Sequence, residues 1–275
     1  MPLRDDLGTR MKTYYEQIPK TKLMRRCPVA IRIDGKAVHT FTRGFAKPFD
    51  EVLVIAMQQT MTYLCENIQG CVFGYTQSDE ITLILLDYQT LDTDAWFDYS
   101  VEKMCSVAAS MCTLYFNRIF HNKVREFVNE HAHVVNDKET YGEELSKSVE
   151  KIMKAYKRAI EQGALFDARV FNVPEAEVVN AVLWRQNDCS RNSISSLAQA
   201  YFSPKQLHGK NSSQMQDMLM EKFNMNWNNL SIPEKRGTAI VKNEDGEWYI
   251  DEEMPILRGE GRDYLESRIH FEDEA

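Results

Sequence analysis

The sequence lacks the long apolar runs of membrane proteins, because no window of roughly 18 consecutive apolar residues occurs in it. Its N-terminal stretch, MPLRDDLGTRMKTYY, also lacks the apolar core of a secretion signal, so we expect a cytoplasmic protein that contacts no membrane. The six cysteines form no C-x-x-C pair, which argues against a zinc cage or a disulfide framework. The net charge of −8 gives no general attraction for nucleic acid. Any polyanion must therefore be bound by local basic patches or through cations.

Internal repeats and low-complexity tracts are also absent, and the 12 glycines and 8 prolines are scattered. Apolar residues make up 43% of the chain and charged residues 27%, as is usual for a globular protein with its own core. We predict a single domain over residues 1–275, with a polar helical insertion at 122–160 and a C-terminal appendage at 203–275.

The apolar pattern predicts an α+β protein. Runs of alternating or continuous apolar residues predict strands at 27–34, 71–75, 80–86 and 164–173. Helical spacing predicts helices at 50–67, 93–120 and 174–202, a short helix at 213–223, and a final hairpin that turns at Asp245-Gly246. The order strand, helix, strand, strand, helix, strand is that of the ferredoxin-like βαββαβ fold, an antiparallel sheet backed by two helices.

Acidic residues stand at the ends of two predicted strands. Asp34 ends the first strand and Asp79 begins the third, and these strands can be neighbours in a ferredoxin-like sheet. Gly35 allows a sharp turn and an exposed carbonyl oxygen. Because successive strand residues point to opposite faces, Asp79 and Glu80 cannot both bind one ion from a regular strand. We expect Asp79 to be the ligand and Glu80 to support it from the turn.

Two carboxylates and a carbonyl oxygen are hard ligands that suit magnesium. They are too few to enclose calcium, whereas magnesium keeps waters and takes further oxygens from substrate phosphates. Two such ions about 4 Å apart would clamp the attacking and leaving oxygens of a phosphoryl transfer. On the residues alone the alternative stays open that these D-G and S-D-E segments are ordinary turns.

Basic residues near the acids could meet a triphosphate. Lys36 and His39 lie in the loop DGKAVHTF together with several backbone N–H groups. Lys47 precedes the start of a predicted helix, a favourable place for an anion. Lys103 lies beside the apolar stripe of its helix. Each lysine is equally compatible with an ordinary solvent-exposed side chain.

Seven segments resemble, in the same order, those of the tRNA-histidine guanylyltransferase superfamily of 3′–5′ polymerases: RIDGKAVHTF, FAKPFDE, GYTQSDE, FDARVFNVP, LWRQNDCSRNSI, FNMNWNNL and KRGTAIV. The resemblance covers about residues 25 to 243, and its R-x-D-G and Q-S-D-E pair is specific. It implies a palm-type catalytic domain like that of ordinary polymerases. It also implies that a tRNA 5′-monophosphate is adenylylated with ATP and then extended by one nucleotide, with release of pyrophosphate.

Carried over by position, the resemblance implies specific roles. Asp34 and Asp79 would bind two magnesium ions, with the carbonyl of Gly35 completing one, and Glu80 matches the family's third essential acid. The residues that would bind ATP, GTP or another incoming nucleotide are Asp34, Gly35, Lys36, Ala37, Val38, His39, Ser78 and Asp79, with Lys47 and Lys103 on the triphosphate.

One departure concerns the choice of reaction. Family members dedicated to histidine tRNA carry His-Ile-Asn-Asn after the W-R-Q-x-D-C segment, whereas this chain has Ser190-Arg191-Asn192-Ser193. The chain is thus more similar to the like-protein branch of bacteria, archaea and phages, which rebuilds truncated tRNA 5′ ends against the opposite strand. The resemblance therefore favours templated repair over dedicated guanosine addition to histidine tRNA.

A cationic face on the insertion is a possible tRNA contact. In SKSVEKIMKAYKRAI, basic residues recur every three or four positions opposite an apolar stripe: Lys147, Lys151, Lys154 and Arg158. The alternative is an ordinary solvated face. Further possible tRNA contacts are Arg191, Asn192 and Lys210.

Two other functions stay possible at this stage. A palm-type nucleotidyl cyclase also sets adjacent acids in a hairpin turn, but it needs no RNA. A non-catalytic tRNA-binding module needs none of the acids, so the intact Asp34, Asp79 and Glu80 argue against it. By resemblance we further expect a homo-oligomer, either a dimer or a tetramer.

Overall fold

The computed structural model describes residues 6–90 and 92–271, which include a six-stranded antiparallel sheet. Its strands are β1 (Val29–Gly35), β2 (Cys71–Gln77), β3 (Glu80–Leu85), β4 (Phe166–Asn172), β5 (Thr238–Lys242) and β6 (Trp248–Asp251). Their spatial order is β4-β1-β3-β2-β5-β6. The first four strands therefore have the predicted ferredoxin-like arrangement, and the α+β fold class is confirmed.

The helices surround this sheet. They are α1 (Asp6–Met11), α2 (Val38–Phe41), α3 (Glu51–Asn67), α4 (Val101–Asn136), α5 (Lys138–Tyr141), α6 (Glu143–Gln162), α7 (Glu175–Tyr201), α8 (Pro204–Leu207), α9 (Ser212–Phe223), α10 (Ile232–Arg236) and α11 (Asp263–Ile269). Short 3-10 helices lie at Trp96–Tyr99, Trp227–Asn229 and Gly259–Arg262, and Lys12–Glu16 forms a turn of π-helix. None of the helices in the described ranges combines the length and apolarity needed to cross a bilayer.

The central sheet separates two hydrophobic cores. Ile31 and Ile33 of β1 point to the face covered by α3, α4 and α6. Ala30 points to the opposite face, which α7 and α11 cover. Strand β3 is buried along its whole length, because helices pack on both of its faces. This double burial explains why its sequence is almost continuously apolar instead of alternating.

Two predicted boundaries differ from the structure. The helix predicted at 93–120 begins only at Val101, since residues 97–99 have positive φ angles, and it continues to Asn136. Its buried stripe extends through Val124 and Val134, so the first part of the predicted insertion is a continuation of α4. The division into one domain, an insertion and an appendage stays a prediction, although β5 of the last segment pairs directly with β2.

Candidate active site

The end of β1 lies against the turn between β2 and β3. Asp34 is paired in register with Glu80, and the backbone N–H of Gly35 donates to the carbonyl oxygen of Asp79 at 3.1 Å. A Cβ atom added to Gly35 would lie 3.1 Å from Oδ2 of Asp79 and 2.3 Å from Cγ2 of Val38. The structure therefore brings Asp34 and Asp79 together, and it requires glycine between Asp34 and the following loop.

Asp79 carries a negative charge that the protein does little to neutralise. The hydroxyl of Ser78 donates to Oδ1 of Asp79 at 2.9 Å. Burial raises the pKa of Asp79, and the neighbouring charge of Asp34 raises it further. Among the described residues no lysine, arginine or histidine forms an ion pair with Asp79. An acid kept in such a place is the kind of group that a bound cation stabilises.

Glu80 has a different environment from the one predicted. It is the first residue of β3, only 5% exposed, and its Oε1 accepts from Nε of Arg185 at 2.6 Å. Nε of Arg32 lies 3.3 Å from the other carboxylate oxygen. Burial raises the pKa of Glu80 and the charge of Arg185 opposes this rise. The side chain thus joins β3 to α7 and β1, rather than supporting Asp79 from the turn.

The loop after β1 is held by the insertion. Ala37 adopts a left-handed conformation with φ of 55°, which turns the chain into α2. The Nη2 group of Arg158 donates to the carbonyl oxygens of Phe41 at 2.8 Å and Arg43 at 2.7 Å. Arg158 is therefore occupied in fixing this loop and does not extend toward solvent as a phosphate contact. The loop's own polar residues, Lys36 and His39, are exposed.

Lys47 is exposed and precedes α3, but the N-terminus of this helix already has an anionic cap. The carboxylate of Asp50 accepts from the backbone N–H groups of Leu53 at 3.0 Å and Ala46 at 2.9 Å. One of the free N–H groups at this helix end is therefore already capped from within the chain.

Lys103 is not brought to the aspartates. Its Nζ lies 4.5 Å from the centre of the Phe97 ring, at the start of α4. Helix α4 reaches the Gly35 end of β1 only at Thr113, whose hydroxyl accepts from the backbone of Phe166, the residue paired with Gly35. Ten residues of helix, about 15 Å, separate Lys103 from that point.

The basic residues predicted to contact tRNA differ in how far their charge is neutralised by neighbouring acids. Lys147 pairs with Glu143 at 2.8 Å and Lys154 pairs with Glu150 at 2.7 Å, which reduces the positive charge of this helix face. Lys151 is exposed on the same face. These contacts make Lys151 the strongest remaining basic residue of the predicted ridge.

The three other predicted tRNA residues lie beyond the insertion. Arg191 forms an ion pair with Asp188 on the same helix. Asn192 is exposed and lines a cavity together with Ser78, close to the Asp79 turn. Lys210 is exposed between α8 and α9.

Sequence reasoning missed the residues that surround Asp34 on its own sheet face. Register places Arg169 opposite Arg32, and Asp167 opposite Asp34. Nη2 of Arg32 lies 3.8 Å from Oδ2 of Asp34, and Nη1 of Arg169 lies 3.9 Å from the same oxygen. The signal was present in the alternation of R-I-D and D-A-R in two neighbouring strands, because residues two apart share a face.

The donor set at this end of the sheet is small. Within residues 6–90 and 92–271, no three His, Cys, Asp or Glu side chains gather closely enough to hold a metal by themselves. A cation bound between Asp34 and Asp79 must therefore take its other ligands from water or substrate. This requirement fits magnesium and excludes a cage made only of protein side chains.

Known proteins that are similar to this chain include tRNAHis guanylyltransferases and proteins like them. Residues 8–174 match a family model described as tRNAHis guanylyltransferase. A bacterial tRNAHis guanylyltransferase-like protein solved in complex with ATP is 38% identical, covers 96% of this chain and all of its own, and superposes with a TM-score of 0.78. A bacterial like-protein solved in complex with GTP is 35% identical over 97% of this chain and 100% of its own, with a TM-score of 0.73. A probable tRNAHis guanylyltransferase of Dictyostelium discoideum is 24% identical over 233 residues, which are 80% of this chain and 77% of the relative.

Proposed function

The chain belongs to the tRNAHis guanylyltransferase family of tRNA nucleotidyltransferases, and from this premise we propose that it is a magnesium-dependent 3′–5′ nucleotidyltransferase. It activates a tRNA 5′ end with ATP and adds nucleotides to that end. The proposal rests mainly on the hydrogen bond from Gly35 to Asp79, which brings the carboxylates of Asp34 and Asp79 close together. Among the described residues no protein cation pairs with Asp79.

The residues at this place fit magnesium. Asp34 and Asp79, with the carbonyl oxygen of Gly35, would hold the ions, and Glu80 would act on them only through the position of β3. Bound magnesium supplies charge neutralisation for the phosphoryl groups and orients the attacking and leaving oxygens. The protein's own contribution is to hold Asp34 and Asp79 beside each other, with only long contacts of Arg32 and Arg169 to Asp34 at 3.8 and 3.9 Å.

The nucleotide would lie over the loop that follows β1. Structural relatives bind ATP and GTP, and this chain presents in the same fold an exposed Lys36 and His39, with Ser78 at the adjacent turn. Arg158 keeps the loop in place through two carbonyl oxygens. Catalysis then depends chiefly on positioning and electrostatic stabilisation, and no side chain is assigned as a general base.

Templated repair of truncated tRNA is the proposed reaction. In place of the histidine of dedicated enzymes stands Ser190, whose hydroxyl donates to the carbonyl oxygen of Lys235 at 3.0 Å. Ser193, two positions after Arg191, accepts from Nε1 of Trp227 at 2.9 Å. These serines attach α7 to the segment 227–235, so this stretch has a structural use that needs no contact with a particular tRNA.

The test uses a tRNA that lacks its first 5′ nucleotide, together with ATP, the four nucleoside triphosphates and magnesium. We expect extension complementary to the 3′ strand, and loss of extension in Asp79→Asn. Asp94→Asn, whose side chain is 83% exposed, serves as the control and should keep full activity. Addition of guanosine irrespective of the opposite base would refute templated repair, and a cyclic product from nucleotide alone would refute the transferase.

A further inference from the structure

One part of the sheet face that carries Asp34 is not covered by helices. Helix α7 packs over Ala30 and β2, but the outer strand β4 keeps its residues on this face exposed. Register places Phe171 opposite Ala30 and Arg169 opposite Arg32, so these side chains form successive rows that lead to Asp34. The open surface therefore begins beside the proposed catalytic aspartate.

Two exposed aromatic side chains border a cleft on this surface. Trp184 of α7 is 50% exposed and Phe171 of β4 is 39% exposed. Both line the same cleft, whose floor includes Arg32 and Thr82. The guanidinium carbon of Arg185 lies 4.2 Å from the centre of the Trp184 ring, and that of Arg32 lies 5.6 Å from it. The arginines thus fix the indole while leaving much of its surface free.

Two buried polar atoms in the cleft lack a hydrogen bond. Thr82 is only 4% exposed, lines the cleft, and its Oγ1 has no partner. The Nε of Arg32 is also buried without a hydrogen bond, because its contact with Glu80 at 3.3 Å is poorly directed. Buried polar groups without partners are unusual and indicate a place for a ligand with donors and acceptors.

The charges around the cleft favour one nucleotide within an RNA strand, which carries a single phosphodiester charge, over a free nucleoside triphosphate. Arg185 forms an ion pair with Glu80 at 2.6 Å, Arg32 lies 3.3 Å from Glu80 and 3.8 Å from Asp34, and Glu177 adds a further negative charge at the rim. Arg169, beside Phe171 on the same strand, is an exposed cation next to the cleft at 55% exposure, with contacts of 3.9 Å to Asp34 and 3.4 Å to Asp167. One exposed arginine suits one phosphodiester, whereas a triphosphate needs several cations.

We propose that this cleft holds an unpaired base at the end of the tRNA acceptor stem. The base stacks on Trp184 beside Phe171, hydrogen-bonds to Thr82, and places its backbone phosphate at Arg169. A truncated tRNA supplies such a base on its 3′ strand, opposite the missing nucleotide. The inference rests on the proposed function for the identity of the RNA. It adds a binding site that distinguishes a tRNA whose 3′-strand base is unpaired from one in which that base is paired.

The experiment measures binding by fluorescence anisotropy, with a labelled tRNA that lacks its first 5′ nucleotide and with the full-length tRNA. Trp184→Leu should weaken binding of the truncated tRNA by roughly 5- to 150-fold, the range for loss of one stacked base. The full-length tRNA should lose much less. Trp184→Phe keeps an aromatic ring and should lose less than Trp184→Leu.

Two controls separate the occupants and the effects on folding. Trp248→Leu removes a partly buried tryptophan from β6, at the other edge of the sheet, and should leave both tRNA affinities unchanged. ATP affinity should also be unchanged in Trp184→Leu. If truncated tRNA binds equally well to Trp184→Leu, or if ATP binding falls as much as tRNA binding, the proposed RNA site is wrong.

These binding measurements need no turnover, so the two proposals can fail separately. A wild-type protein that discriminates truncated tRNA through Trp184 but extends nothing would contradict the proposed function and keep the binding site. An active enzyme whose discrimination survives Trp184→Leu and Trp184→Phe would overturn the binding site alone.

Discussion

Nε of Arg185 donates to Oε1 of Glu80 at 2.6 Å, which joins the middle of α7 to the first residue of β3. Both side chains are less than one tenth exposed, at 9% for Arg185 and 6% for Glu80. Asp79 is the neighbour of Glu80, and therefore the position of the proposed metal ligand depends on an ion pair that need not touch the metal. The two adjacent acids therefore differ in role: Glu80 holds α7 against β3, and Asp79 is the proposed metal ligand.

Removal of Arg185 should destabilise the fold strongly. Arg185→Met leaves the buried carboxylate of Glu80 with Arg32 alone, and loss of one partner of a buried pair costs about 3–5 kcal/mol. The double variant Glu80→Gln/Arg185→Met should recover a large part of this loss, because the buried charge of Glu80 is removed together with that of its nearest partner. Urea unfolding of the two single variants and the double variant measures the coupling; strictly additive losses would contradict it.

Asp79 should destabilise the protein at neutral pH when no divalent cation is present. Its pKa is raised by burial and by Asp34, so folding favours the protonated carboxyl. Asp79→Asn should therefore be more stable than the wild type, by a margin that grows as pH rises from about 4, the ordinary pKa, through the raised pKa. Thermal unfolding in EDTA at several pH values tests the sign.

Magnesium should reverse that order. With magnesium and ATP the stability of the wild type should rise with the logarithm of ligand concentration above the Kd, and Asp79→Asn should gain much less. The same thermal unfolding experiment, repeated with calcium as a poorly matched ion, provides the control. An equal gain in both proteins would show that Asp79 does not bind the metal.

Gly35→Ala should impair activity through its new methyl group. The added carbon would lie 2.3 Å from Cγ2 of Val38 and 3.1 Å from Oδ2 of Asp79. Overpacking of this kind costs about 1–3 kcal/mol. Gly35→Ala/Val38→Ala removes the first clash and should recover stability, while extension activity stays low because the contact with Asp79 persists. Full recovery of activity would mean that only Val38 needs the glycine.

Arg158 and Lys151 should affect different substrates, although both belong to α6. Arg158→Met frees the carbonyl oxygens of Phe41 and Arg43, so the KM for ATP should rise while tRNA affinity changes little. Lys151→Glu should lower tRNA affinity and reduce its salt dependence, with the KM for ATP unchanged. Steady-state kinetics and tRNA binding at several salt concentrations separate the two; the same response in both variants would refute the division.

The local pattern determined the strands, the main helices and their order. The alternating apolar residues at 29–33 and the continuous apolar run at 81–85 each indicate which faces of the strand are buried, and the turn at Ser78-Asp79 fixes the hairpin of β2 and β3. The same pattern placed Asp34 and Asp79 at strand ends, and adjacent antiparallel strands were enough to bring them together. These features depend on contacts that are local or that follow from strand order.

Only the tertiary structure decided what surrounds those acids. The partners of Glu80 come from residues 48 and 105 positions away, and the guanidinium of Arg158 reaches back to a loop more than 100 residues earlier. Lys103 lies ten residues along α4 from Thr113, the point where this helix reaches the Gly35 end of β1. Side-chain pairing between distant elements depends on helix placement over the sheet, which hydrophobic periodicity does not encode. For this reason the sequence identified the acids, whereas the packing of α6 and α7 determined which charges stay free to bind a substrate.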